Sequence, residues 1–491
     1  MERETIQSLS VPALQGIPLW LFGWIVYYSK TLRRQLLANS NLLSLTDKDL
    51  KHIQPTLQPL RAPVKDDHPD TKDEAISIKD LVKKPKNDSF SFLGVVDFHQ
   101  RYLDKSLTPS EVIDLIQTKL KEMDARIHAF SCIHWTLVKA DAEKSTKRYQ
   151  EGRPLSVLDG VPISFKEEFD IQGYDTRGGT DIRAFKDIKI ADSEVVARLR
   201  SMGALILGHT CMHELGIDTT GNNPKGGTAF NPYNPLYFPG GSSSGSAASV
   251  ASGICPISLG NDGGGSIRIP ASYCGLYGLK PTFGRVSTFG TFPTSNTVGH
   301  PGPLTANAID LTLSYLAIQG IDEKDRNTKI QPREYLKLED CLALSKSATL
   351  RIGIDQEFFN LAHPDIVNQC ESMLKRFEDE MESKGVRVER IPIEIMGLET
   401  MRVAHAVTIV TEKGTALNQT SWRSFGYSTR PVLLSSKLLR GSDYLNALKV
   451  RTMAMDHFQD LFKKVDVIVT PTTGCVAPKI PKGILEHLLF L

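Results

Sequence analysis

Between Val157 and Leu259, apolar runs short enough for strands alternate with stretches whose apolar positions recur at helical spacing. The run Gly160-Val161-Pro162-Ile163-Ser164-Phe165-Lys166 reads as a buried strand ending in one lysine. A helix follows from about Ser193 to Met202, closed by Gly203, and a second strand spans Ala204 to Leu207. Strand, helix, strand in this order predicts an α/β fold with parallel pairs, and such sheets place ligands at their strand ends. Further on, Ser246 to Ser252 reads as a short helix and Ile254 to Leu259 as a strand.

Upstream, Thr108-Pro109-Ser110-Glu111 forms a capping box with proline at the first helical position. Val112, Leu115, Ile116, Leu120 and Met123 mark the apolar face of the helix it starts. From about Pro303 to Phe462 the pattern is more helical, with helices predicted over 364–384 and 442–463, and Val465 to Pro471 reads as a strand.

At the N-terminus, residues 17–28 are an apolar run carrying Trp20, Trp24, Tyr27 and Tyr28, followed by Lys30, Arg33 and Arg34. A spanning helix needs roughly 20 such residues, so the run is short for one. It suits a segment lying in a membrane interface, or a helix packed on the protein's own core, and both readings stay open. The charged start Met1-Glu2-Arg3-Glu4 does not resemble a signal peptide. Residues 61–89 are charged and contain proline, as a solvated connector would. The expected organisation is a helical N-terminal segment over 1–60, a charged connector over 61–95 and a catalytic domain over 96–491.

Composition narrows the field. With 41% apolar and 23% charged residues among 491, the chain has ample material for a core, and a net charge of +2 gives no reason to expect a nucleic-acid partner. Seven scattered cysteines without a C-x-x-C pair argue for reduced thiols in a cytosol-facing protein. Cys255 and Cys274 read as packing residues. His209, Cys211 and His213 lie in HTCMHE, which lacks the H-E-x-x-H order, so no metal is expected.

The candidate chemistry is concentrated in residues 240–268, GGSSSGSAASVASGICPISLGNDGGGSIR. Glycine lets backbone N–H groups approach a ligand and lets a turn hold a side chain in an unusual pose. A serine in such a turn is a candidate nucleophile, and Lys166, desolvated at a strand end, is a candidate base. Glu167, Glu168 and Asp170 follow that lysine. Neither glycine-rich turn supplies the lysine of a P-loop.

These residues carry a resemblance. The run GGSSSGSAA, then DGGGSIRIP and CGLYGLKPT, with GVPISFKEEFD before it, resembles the amidase signature family of serine hydrolases over about residues 100–480. The resemblance implies a central twisted mixed β-sheet covered by helices on both faces. It implies a Ser–cis-Ser–Lys triad in which Lys166 is the base, Ser242 the bridging cis-serine and Ser266 the nucleophile. Gly263, Gly264, Gly265 and Ser266 are the expected oxyanion donors, with Ser242 at the same substrate-binding edge; Ser243, Asp262 and Arg268 are expected supports. Asn261 stands where many relatives have threonine.

Within the family, HELGIDTTGNNPKGGTAFNPYNPLYFPGGSSSG and DVIVTPTTGCVAPKIP look most like the plant-type fatty acid amide hydrolases. That likeness implies a small-molecule lipid amide as the partner, no cofactor and a membrane-associated protein on the cytosolic side, with a cytoplasmic protein as the alternative; residues 17–28 are the segment that would meet a membrane surface. A homodimer is left open. By the same likeness, the chain lacks the usual C-terminal part of the catalytic domain. The alternatives are an amidase on small amides, a transamidation subunit, and a catalytically impaired chain that acts by binding.

Overall fold

The computed structural model describes residues 92–331, apart from 183, 184, 186 and 295, together with 349–481 and scattered positions between 29 and 56. The apolar run 17–28, the connector 61–89 and the final ten residues lie outside the described residues. The fold has two compact units, one formed mainly by residues 60–293 and 298–338, the other mainly by 339–476.

The larger unit is built on a six-stranded sheet. Its strands are β1 (Phe130–Cys132), β2 (Pro162–Lys166), β3 (Leu205–Thr210), β4 (Ile257–Asn261), β5 (Tyr277–Gly278) and β6 (Pro301–Thr305), in the order β1-β3-β2-β4-β6-β5. The two pairs that include β2, with β3 and with β4, are parallel. The pairs β1 with β3, β4 with β6 and β5 with β6 are antiparallel, so the sheet is mixed as expected. Every residue of β2, β3 and β6 is buried, which requires cover on both faces. Its helices of more than four residues are α1 (Val95–Leu103), α2 (Pro109–Ile127), α3 (Trp135–Gln150), α4 (Glu194–Ser201), α5 (Ser244–Ala251), α6 (Arg268–Tyr273) and α7 (Ala308–Ile318). α5 lies on β2, β3, β4 and β6, while α3 packs on β3 and α7 on β6.

Helix ends follow the local chemistry. Thr108 N donates to Glu111 Oε2 (2.8 Å) and Glu111 N to Thr108 Oγ1 (3.2 Å), the reciprocal box that starts α2. α4 and α5 both stop at glycines of positive φ, Gly203 (91°) and Gly253 (67°). In α5, Gly253 N donates to Val250 O (2.9 Å) and Ile254 N to Ser249 O (3.1 Å). That cap uses Ile254, so β4 begins at Ile257 rather than at the predicted Ile254, and it runs on to Asn261. Cys255 and Cys274 are buried in apolar clusters, the expected packing role, and burial pushes both thiols up.

The smaller unit holds a three-stranded parallel sheet, β7 (Thr349–Ile354), β8 (Arg387–Pro392) and β9 (Val467–Ile468), in the order β8-β7-β9. Helix α8 (Pro364–Ser383) packs on β8, and the long pair α9 (Leu398–Ala416) and α10 (Gly441–Leu461) pack on each other. The predicted strand 465–471 is paired only over Val467–Ile468; Pro471 has no N–H for a ladder.

Phe165 on β2 is fully buried and points into the main core. A Phe165→Ala chain should lose about 3–5 kcal/mol of stability, read by urea unfolding of the two proteins side by side.

Candidate active site

The site begins where two strands end. β2 and β4 run parallel with Phe165 opposite Leu259, so Lys166 and Asn261 leave the sheet along one edge. Lys166 is 1% exposed. Its Nζ is hydrogen-bonded to Ser242 Oγ (2.8 Å) and donates to Asn261 O (3.2 Å). The chain then turns tightly, Phe169 N donating to Lys166 O (3.1 Å), and brings Glu168 Oε1 to 2.8 Å from Nζ. That contact is ionic in distance but lies outside hydrogen-bonding angles.

Ser242 sits in the Gly240–Ser243 stretch that feeds α5. The Gly241–Ser242 peptide is cis, as the resemblance implied. Gly240 adopts φ 85°, and a Cβ there would fall 2.7 Å from Pro270 Cα, so no other residue fits this turn. Ser242 O accepts from His213 N (3.1 Å), and Ser243 N donates to Ser266 O (3.2 Å), which ties the two serine loops together. Ser243 supports the site through that backbone bond; its buried Oγ has no hydrogen-bond partner among the described residues.

Ser266 lies on the turn between β4 and α6. It is 9% exposed against 0% for Ser242, so of the two serines it is the one that a substrate can reach. The turn is wrapped around the buried carboxylate of Asp262. Asp262 Oδ1 accepts from Gly265 N (2.7 Å) and Arg268 Nη2 (2.9 Å); Oδ2 accepts from Ile267 N (3.1 Å), Arg268 N (3.3 Å) and Arg268 Nε (3.0 Å). Burial alone would raise this carboxyl. Arg268 and the N–H groups of Gly265 and Ile267 outweigh it and hold Asp262 well below the usual carboxylate range. Asp262 and Arg268 thus hold the loop through these bonds.

That brace changes one expectation. The Gly265 N–H is committed to Asp262, so it is not an oxyanion donor in this arrangement. The N–H groups of Gly263, Gly264 and Ser266 have no partner among the described residues, which leaves three donors at the Ser266 turn.

Two contributors were not singled out from the sequence. His300 exchanges backbone bonds with Asp262 (3.0 and 3.1 Å), and its Nδ1 lies 3.0 Å from Asp262 O and 2.7 Å from Val298 O. Both partners are carbonyls, so Nδ1 carries the proton. Burial, with Lys280 nearby, lowers this imidazole to about 4, and the ring is a neutral brace at pH 7. Glu168 is the other; the two-residue spacing from Lys166 was its only signal. The three side chains of the HTCMHE run go separate ways: His209 Nε2 pairs with Phe169 O (2.8 Å), His213 Nδ1 with Glu214 O (3.0 Å), and Cys211 Sγ lies 4.0 Å from His128 Nδ1.

A buried lysine bonded to a serine on a cis peptide, beside a second serine among free backbone donors, is a hydrolase arrangement without histidine. The sequence profile of the family described as Amidase matches residues 111–484, and the chain belongs to this amidase signature family. It is similar to "Fatty acid amide hydrolase" of Arabidopsis thaliana, 38% identical over 81% of this chain and 66% of that relative, so the match spans just under two thirds of the relative's length. The protein of that name from Oryza sativa subsp. indica is 33% identical over 98% of this chain and 83% of its own length. Among solved structures, the native peptide amidase of Stenotrophomonas maltophilia shares the fold, with a TM-score of 0.68 over 82% of this chain and 90% of its own at 23% identity.

Because Asp262 is held below its ordinary range, its contribution to stability is complete above about pH 4, the unfolded carboxylate value, and is lost as pH falls below it. An Asp262→Asn chain should therefore melt at a lower temperature than the parent at pH 7. The gap should narrow below about pH 4, as differential scanning calorimetry across pH will read.

Proposed function

We propose that this protein hydrolyses the amide bond of fatty acid amides such as N-acylethanolamines, releasing the free fatty acid and the amine through an acyl-enzyme. The observation that carries the chemistry is the 2.8 Å contact between Lys166 Nζ and Ser242 Oγ, with the Ser242 loop tied to Ser266. The choice of substrate rests on the relatives named fatty acid amide hydrolase.

In this reading Ser266 Oγ attacks the amide carbonyl while its proton passes to Ser242, whose own proton passes to Lys166 Nζ. The carbonyl oxygen becomes an oxyanion received by the N–H groups of Gly263, Gly264 and Ser266. When the C–N bond breaks, the leaving amine takes a proton back along the same path. Water then adds to the acyl-enzyme, giving up a proton to the Ser242–Lys166 pair, and collapse releases the acid and restores Ser266. Residues 17–28 would hold the protein at a cytosol-facing membrane surface, where its apolar substrates concentrate.

The test is a series of N-acylethanolamines of rising chain length given to the purified chain. Each methylene that enters an apolar pocket should raise kcat/KM by about fourfold, from about 0.8 kcal/mol per buried CH₂, until the pocket is filled. Equal rates on acetyl and long-chain amides contradict the reading. The double change Ser242→Ala with Ser266→Ala should cost little more than either single change, since the groups act as a unit.

A further inference from the structure

We infer that Glu168 is a positioning residue for Lys166: its carboxylate turns the amine toward Ser242 and stabilises the ammonium that forms when the proton arrives. This rests on the proposed Ser242–Lys166 relay, though not on the identity of the substrate.

Three groups approach Nζ closely: Ser242 Oγ, Asn261 O and Glu168 Oε1. A carbonyl and a carboxylate only accept, so both draw the N–H groups of a neutral amine and repel its lone pair. Ser242 is the one partner able to donate, and the lone pair is left facing its hydroxyl. Once the Ser242 proton has moved, Nζ carries a full positive charge 2.8 Å from a carboxylate that is 4% exposed. Charges that close in a site so poor in water interact far more strongly than in solvent. Glu168 gains no proton in this step. In that respect it resembles the carboxylate behind the histidine of a Ser-His-Asp triad.

The neighbouring charged groups face elsewhere. The Glu167 carboxylate accepts from Arg177 Nε (2.9 Å), and Arg177 also faces Asp175 (3.5 Å). Asp262 is turned to Arg268, and Asp170 faces Lys189 (3.8 Å). From β3, His209 is lowered to about 4 by burial and bonds Phe169 O, while Thr210 Oγ1 pairs with Ser246 Oγ (2.9 Å). Among the described residues, Oε1 of Glu168 has no hydrogen-bond donor, so Lys166 is the cation that its charge answers. A carboxylate that merely filled space would have no reason to stand unbonded against the base.

The experiment measures the rate at which a fluorophosphonate modifies Ser266, across pH, in the parent, Glu168→Gln and Glu168→Asp chains. Modification requires Lys166 in its basic form, so the rate rises as pH rises through an acid limb. Without the carboxylate the ammonium is less favoured: in E168Q the limb should move to lower pH by about one unit. The weaker base should also lower the plateau by roughly 10-fold to 100-fold. E168D, which keeps the charge, should hold the limb near the parent's position, and it serves as the folded control if E168Q is unstable. A limb that stays in place in E168Q, a plateau equal to the parent's, or an E168D limb displaced like that of a neutral residue overturns the inference. A parent that is never modified overturns it together with the relay. A parent that is modified yet ignores fatty amides removes only the proposed substrate.

Discussion

A primary amine with 1% exposure at the end of a fully buried strand is the constraint on which this structure turns. Burying such a group without partners is costly, so the surroundings must supply polar contacts from nearby elements. β4 offers Asn261 O, the Gly241–Ser242 cis peptide offers a hydroxyl, and the turn after β2 offers Glu168. For these to converge, α5 must lie very close to the sheet. A Cβ at Gly245 would fall 2.2 Å from Ala129 O, and the rest of α5 is serine, alanine and one valine. The serines bond inward: Ser246 to Thr210, and Ser249 to Ser164, which bonds Ser258 in turn. The close approach is thus achieved without stranding these hydroxyls.

Burial is also graded across the site. Lys166 and Ser242 are sealed while Ser266 touches the surface, so the proposed base is kept from water and the proposed nucleophile remains within reach of a substrate. Asp262 performs the complementary task for the nucleophile's turn. By taking the Gly265 and Ile267 N–H groups it fixes the loop, and the remaining backbone donors are left for a ligand.

Much of this was legible in the sequence because the signals are local. The strand ending in Lys166, the helix stop at Gly203, the capping box at Thr108 and the two glycine-serine turns each declare themselves within a few residues. Their order resembled one family, and the profile match and relatives agree. What was not legible depends on geometry that the order of residues does not declare, whether the partners are near or distant in sequence. Asp262 lies only three residues before Gly265, yet the spacing does not tell an oxyanion donor from an N–H spent on bracing the loop, and His300 joins that loop only because β4 and β6 are paired. The start of β4 was misplaced because the Schellman cap of α5 absorbs Ile254, an apolar residue that reads as strand. The strand at Val467–Ile468 finds its partner in β7, more than a hundred residues earlier in the chain.

The central claim is that Ser266 is a nucleophile activated through Ser242 by Lys166. The most direct measurement is intact mass of the full chain after a fluorophosphonate, with peptide mapping and a Ser266→Ala control. One adduct per chain is expected, on Ser266, absent from the control and strongly slowed by Lys166→Ala. Labelling that persists in Ser266→Ala, or a folded parent that takes no label, would contradict it.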